Sequence, residues 1–388
     1  MSTSEPPSAR RDSAGPVFVP GIDLARAFFL EVVQPLLDSR TPGVHYAAAL
    51  IGPGSDVLCF DTPLSMDREW GPRLRLFLPE PELGERGPLF DRLLRSELPL
   101  EFLGYPTSYT APDAQGMRRP QPRTHPPVEH LVEITSVGRF AQRLLGFDPT
   151  WGVSPRQWLL APQERLLELT AGEVFVDSVG ELSGLRERLS YYPRQVWIYL
   201  MAAQWRRLER REQLIGRAGL SGDDFGSRLL VAGLVRELVR LAFLIERRYA
   251  PWDQWLARSF AGLRCASRLG PPLQRALTAY DWIQRDLRLA DAYTLLAAMH
   301  NNLGLTAPLP TEAGRSERGF ATIDAGRFAA ALVELVDDEA LKPLVPMLAG
   351  GVDQLLASDE ALLDPSFLTS LASVLEAGDA EAKRDASV

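Results

Sequence analysis

The chain has 388 residues, 46% of them apolar, with 42 basic and 50 acidic side chains and a net charge of −8. This length and apolar fraction suit two or three domains with sizeable cores, and the acidic balance argues against broad nucleic-acid binding. No run of about 18 apolar residues occurs, which argues against a membrane span, and the two distant cysteines, Cys59 and Cys265, argue against a disulfide framework and suit a reducing cytoplasm.

In chain order, residues 1–17 are polar and rich in Pro and Ser. They lack the apolar stretch of a signal peptide and are expected to be a disordered tail. Residues 21–39 carry apolar side chains at helical spacing, and Pro42-Gly43 ends that helix. VHYAAALIG, 44–52, reads as a buried strand closed by Gly-Pro-Gly. Residues 55–61 read as one or two helical turns, RLRLFL at 73–78 as the next strand, and 85–97 as another helix. The Pro- and Gly-rich stretch 104–127 is a long loop and a candidate lid. VEHLVEITSV, 128–137, is strand-like again, and 138–170 is helical with an interruption at 148–155. Residues 18–180 are therefore expected to form one α+β domain with a mixed sheet and flanking helices. From 181 the strand signal fades, which predicts a helical bundle over 181–306. Beyond it lie a polar link at 307–319, further helices packing on the bundle within 307–376, and a frayed tail at 377–388.

The stretch GPGSDVLCFDTPLSMDREWGPRLRLFLPE, 52–80, raises the chemical question. A Gly54-Ser55 turn between a strand and a helix would present backbone N–H groups and the Ser55 hydroxyl to a phosphate, with Gly54 allowing close approach. Asp67 and Glu69 stand two apart, so on an extended segment both point to one face. Two carboxylates on one face repel unless a cation lies between them, and Mg²⁺ is a natural occupant. Glu133, inside the strand-like HLVEIT, is the candidate third ligand, with Glu129 as its competitor nearer Pro127. Arg73 and Arg75 follow the acids closely enough for one of them to meet a triphosphate bidentately.

This order of elements resembles the DNA-polymerase-β-like nucleotidyltransferase superfamily. Its signature is an apolar residue and Gly-Ser, roughly ten residues, an acid–x–acid pair on a strand, and a third acid one or two strands later. Here that reads Ile51 to Ser55, then eleven residues, then Asp67-Arg68-Glu69, then Glu133. Ser65 echoes the Ser that often precedes the pair. GSDVLCFDTPLSMDREWGPRL, RAGLSGDDFGSRLL and MHNNLGLTAPL together look like a bacterial family known chiefly as a domain of unknown function, over about residues 20–355. The resemblance implies a nucleotidyltransferase-type sheet followed by a helical bundle. It further implies two Mg²⁺ ions on Asp67, Glu69 and Glu133, and an NTP held near Gly54, Ser55, Ser65 and Arg73. The implied reaction is transfer of NMP, with AMP favoured, to a hydroxyl of a small-molecule acceptor. The alternatives are a nucleotide-binding or regulatory module without turnover, and nucleotidylation of a partner protein. The resemblance admits a homodimer, which no residue specifies. Two departures stand out: the second acid is Glu, and Arg68 occupies the usually apolar place between the acids. On a regular strand Arg68 would point into the core, so the segment is expected to be irregular there.

Elsewhere, Arg236, Arg240 and Arg247 fall within a stripe of about 40° on one helix, read as a solvated face or as a patch receiving an anionic substrate. Asp223-Asp224 are expected to open that helix, 226–249, with a general-base role as the alternative. His300 should end a helix with Asn301 and Asn302 as caps. His45, His125 and His130 form no zinc pattern. Trp197, Trp205, Trp252 and Trp255 read as core, and Cys59 as a small buried apolar residue.

Overall fold

The computed structural model describes residues 17–67, 69–114, 116–356, 362 and 364–370. Arg68 and most of both expected tails lie outside the described residues. The chain divides into two compact units, Met1–Val137 with Ala171–Ser183, and Gly138–Thr170 with Gly184–Val388. Residues 138–170, expected within an 18–180 domain, thus group with the second, helical unit. None of the described helices is long and apolar enough to cross a membrane.

The first unit opens with α1 (Gly21–Phe28), a π-helical turn at Phe29–Val33, and α2 (Gln34–Arg40). The π turn lies just ahead of Pro35, which has no amide to give to the helical ladder and whose ring crowds the preceding turn. β1 (Ala47–Leu50) is buried along its whole length. It is followed by β2 (Arg73–Phe77), α3 (Glu80–Glu97), a short hairpin of β3 (Glu101–Phe102) and β4 (Tyr105–Pro106), β5 (Leu131–Thr135) and, after residues 138–170, β6 (Glu173–Asp177). The main sheet runs β5-β2-β1-β6. β1 is antiparallel to both neighbours, while β2 and β5 are parallel. Leu74 and Leu76 of β2 join Leu24, Phe28, Phe90 and Val132 in one buried cluster. Each such side chain contributes about 1.5–3 kcal/mol. Alternation along the strand sends Arg73 and Arg75 to the opposite face.

Segment 55–61, expected to be helical, contains turns and no α-helix; a 3₁₀ turn at Pro63–Asp67 follows it. Cys59 is exposed rather than buried, because it occupies a left-handed turn position (φ 57°). The buried apolar side chain of that turn is Val57. The 104–127 loop is tied to the segment leading into β5 by Tyr109 N, which donates to Glu129 O (2.9 Å), and closed on itself by Gln121 N, which donates to Ser108 O (2.8 Å).

The helical unit contains α4 (Val137–Leu145), α5 (Pro155–Leu160), α6 (Gln163–Thr170), α7 (Glu181–Arg188), α8 (Arg194–Glu209) and α9 (Leu214–Leu220). These are followed by α10 (Asp224–Ile245), α11 (Asp253–Phe260), α12 (Ala266–Thr278) and α13 (Trp282–Asn301). A small hairpin of β7 (Gly314–Arg315) and β8 (Ala321–Thr322) then leads to α14 (Ala325–Val333) and α15 (Val352–Leu355). α8 is apolar nearly all round, VWIYLMAAQW, so it is the central helix, packed on α14 and α10. α10 starts where the acids suggest: Asp223 accepts from Gly226 N at 2.7 Å. His300 sits buried in the last turn of α13 and accepts from Trp205 Nε1 at 3.2 Å. Arg247 leaves the arginine stripe. Its φ is 55°, and its guanidinium lies over Trp197 (5.0 Å) and Tyr191 (5.4 Å).

Candidate functional site

Arg73 reaches from the polar face of β2 back to the glycine loop. Its Nε and Nη2 donate to Asp56 Oδ2 (2.8 Å) and Oδ1 (2.6 Å), and Nη2 also donates to Pro53 O (3.2 Å). Both side chains are nearly out of water, 11% and 3% exposed. Burial alone would pull the Arg73 guanidinium down, but the Coulombic attraction and hydrogen bonds of Asp56 outweigh it and hold the group above its ordinary range. Gly54 makes room for this pair. Its φ is 147°, and a Cβ there would stand 2.2 Å from Arg73 Nη2 and 2.3 Å from Asp56 Oδ1. No α-helix begins at Gly54-Ser55, so the expected helix-terminal phosphate cradle is not formed. Ser55 Oγ donates to Ser65 Oγ (3.4 Å), which also accepts from Thr62 N (3.1 Å).

The acid pair is placed otherwise than on a strand. Asp67 ends the 3₁₀ turn, and Glu69 has φ 41°. The cause is the following Trp70-Gly71-Pro72. Trp70 is buried and donates to Asp61 Oδ2 (2.9 Å), Gly71 takes φ 137°, and Pro72 has no amide for the sheet. The ladder therefore begins only at Arg73, which leaves Asp67 and Glu69 in the approach to it. The irregularity expected around Arg68 is present on both of its flanks.

Glu133 does lie on the strand next to β2, directly opposite Arg75 in the parallel register. Arg75 Nε donates to Glu133 Oε2 at 2.9 Å, and its Nη1 donates to Ile51 O. Glu129, the competitor, pairs elsewhere: Arg95 Nη1 lies 2.6 Å from its Oε1, and that hydrogen bond chiefly holds its carboxyl below the ordinary range.

Glu69, Arg73, Arg75, Arg118, His130 and Glu133 line one cavity of about 300 Å³. Asp67 is not among its lining residues. Arg118 spends its donors on carbonyls, Thr110 O (2.9 Å), His130 O (3.0 Å) and Glu129 O (3.0 Å), and no carboxylate pairs with it among the described residues. His130 Nδ1 accepts from Val132 N (3.2 Å), so the proton of the neutral ring is on Nε2. That Nε2 is buried beside Asp91, whose Oδ1 is 3.6 Å away, with no hydrogen-bond partner among the described residues. Burial lowers the imidazole pKa and keeps the ring neutral. Sequence reasoning missed Asp56 and Arg118 and noted His130 only as scattered. Asp56, directly after Gly-Ser, was the one with a local signal.

Among the described residues no three His, Cys, Asp or Glu side chains gather so as to hold a metal ion. Mg²⁺ demands a near-octahedral set of oxygens. Here Glu133 is held by Arg75, Asp67 stands outside the cavity, and three guanidiniums oppose a dication. The residues as placed do not fit two Mg²⁺ ions. They suit an anion better than a cation, through the Arg118 guanidinium, which no carboxylate neutralises among the described residues.

Residues 158–256 match the family described as Domain of unknown function (DUF4037). That span includes RAGLSGDDFGSRLL but neither the 52–80 stretch nor MHNNLGLTAPL. No curated protein matches the chain. A solved structure of a nucleotidyltransferase-like protein from Exiguobacterium sibiricum 255-15 is 12% identical, with 73% of this chain and 77% of that one covered and a TM-score of 0.33. A likeness of that size carries nothing about chemistry.

Proposed function

We propose that the sheet-edge cavity binds the phosphate end of a nucleotide and that, in this arrangement, the chain is a nucleotide-binding module without metal-dependent turnover. The observation that carries this is the Arg75–Glu133 ion pair, which puts a guanidinium where the third acid would hold a cation. Arg118, which among the described residues is bound to carbonyls and to no carboxylate, is the donor for phosphate oxygens. ATP or another NTP is the ligand class.

A second reading is Mg²⁺-dependent transfer of AMP to a small-molecule hydroxyl. One observation favours it: Glu133 lines the same cavity as Glu69, which follows Asp67 by two residues. It requires Glu133 to leave Arg75.

Calorimetry with ATP, with and without Mg²⁺, tests the first reading, followed by a pyrophosphate-release assay over a metabolite extract. Binding is expected in both conditions, weakened about tenfold or more by Arg118→Gln, with no pyrophosphate. Pyrophosphate release that Asp67→Asn abolishes would establish the second reading instead.

A further inference from the structure

The helical unit holds a charged cavity of its own, about 270 Å³ in volume, whose walls include Glu164, Arg207, Arg211, Arg236, Arg240 and Asp353. That volume lies under the ~300 Å³ low end for drug-sized ligands, so its occupant is small. Four guanidiniums converge on it, and two carboxylates serve them. Glu237, buried, takes Arg207 bidentately (3.1 and 2.8 Å) and lies 3.4 Å from Arg211. Asp253 bridges Arg236 and Arg240, each at 2.9 Å. Two positive charges therefore exceed the carboxylates that pair with them.

The remaining acids are Glu164 and Asp353. They lie against each other, and burial pushes both carboxyls up, Glu164 well above its ordinary value. Two buried carboxyls in contact resist carrying two negative charges. Asp353 accepts from Gln163 N at 3.1 and 3.2 Å. Glu164 is only 5% exposed, yet its Oε1 has no hydrogen-bond partner among the described residues. Arg240 Nε is likewise buried and, among the described residues, without an acceptor. One cavity is thus lined by a residue whose guanidinium N–H needs an acceptor and by one whose carboxyl oxygen needs a donor, beside three further guanidiniums. Leaving such groups unsatisfied costs about 1–3 kcal/mol each.

We propose that this cavity binds inorganic phosphate as HPO₄²⁻, whose anionic oxygens face the arginines and whose one O–H donates to Glu164 Oε1. Sulfate has the same size and charge but no proton to give. It therefore leaves Glu164 Oε1 opposed to an oxygen and is rejected.

The test is calorimetry of the full chain with sodium phosphate and, separately, sodium sulfate, repeated in an Arg118→Gln background that weakens the sheet-edge cavity, with Arg236→Met added to report on the helical unit's cavity. Phosphate is expected to bind in that background and sulfate at least tenfold more weakly. Arg236→Met, at a side chain 45% exposed, is expected to weaken phosphate about tenfold while leaving the melting temperature in place. Absence of phosphate binding in the Arg118→Gln chain overturns the proposal. So does sulfate bound as tightly as phosphate, or phosphate affinity unchanged in Arg236→Met.

Discussion

Arg73 and Asp56 offer a decisive perturbation, because the sequence pointed to Arg73 as a phosphate ligand while the structure commits it to an internal pair. The two hydrogen bonds are 2.8 and 2.6 Å long, and the side chains are 11% and 3% exposed. Removing either partner strands a charge where water cannot reach, at a cost of about 3–5 kcal/mol. Asp56→Leu loses in addition the bond from Val57 N to Oδ1 (3.0 Å), worth about 1 kcal/mol. Removing both charges together in Arg73→Met/Asp56→Leu leaves none stranded, so the double variant is expected to lose at least 3 kcal/mol less than the two singles combined. The assay is urea unfolding followed by ¹⁹F NMR on 5-fluorotryptophan protein, in which Trp70 is the one tryptophan of its unit and reports on it alone. Additive losses, or singles that cost under about 1 kcal/mol, would refute the reasoning and return Arg73 to the pool of ligand-binding cations.

Two further outcomes follow from the same kind of argument. Gly54→Ala combines a backbone of φ 147° with a Cβ that collides with the ion pair, and is expected to cost roughly 1–3 kcal/mol, read from the same Trp70 line. His300 is held neutral by burial, with its pKa lowered from 6.5 to about 4. Its unfolded form takes up a proton first, so the stability it supplies is complete above 6.5 and is lost as pH falls toward about 4, a loss of roughly 3 kcal/mol. Urea midpoints of the second unit measured between pH 7.5 and 4.5 should fall more steeply in the natural chain than in His300→Gln. Equal slopes would remove the histidine from the account.

The strands β1, β2 and β5 were legible because apolar runs bounded by Gly and Pro are local signals, and so was the start of α10 at Asp223. β6 was not, because EVFVD is half-buried along its length and arrives after a long helical stretch. The acids were placed on a strand because their spacing fits one. Trp70, Gly71 and Pro72, which prevent it, act through burial and backbone geometry rather than through any acidic pattern. The partner of Glu133 could not be read either. It depends on the parallel register of two strands far apart in the chain, and a slip of one residue would have turned Arg75 away. The cavity of the helical unit was half visible, in that Arg236 and Arg240 shared a stripe. Its other walls come from α6, from the region of α8, and from α15, which only tertiary folding assembles.

The position of β6 has a consequence for how the protein is made. β1 must wait at the ribosome for its outer neighbour until residues 138–170 have been synthesised, and during that interval its alanine-rich edge is unpaired. A gene truncated after residue 137 would encode nearly all of the first unit yet leave that edge permanently bare, and its product would form aggregates instead of a shorter working domain.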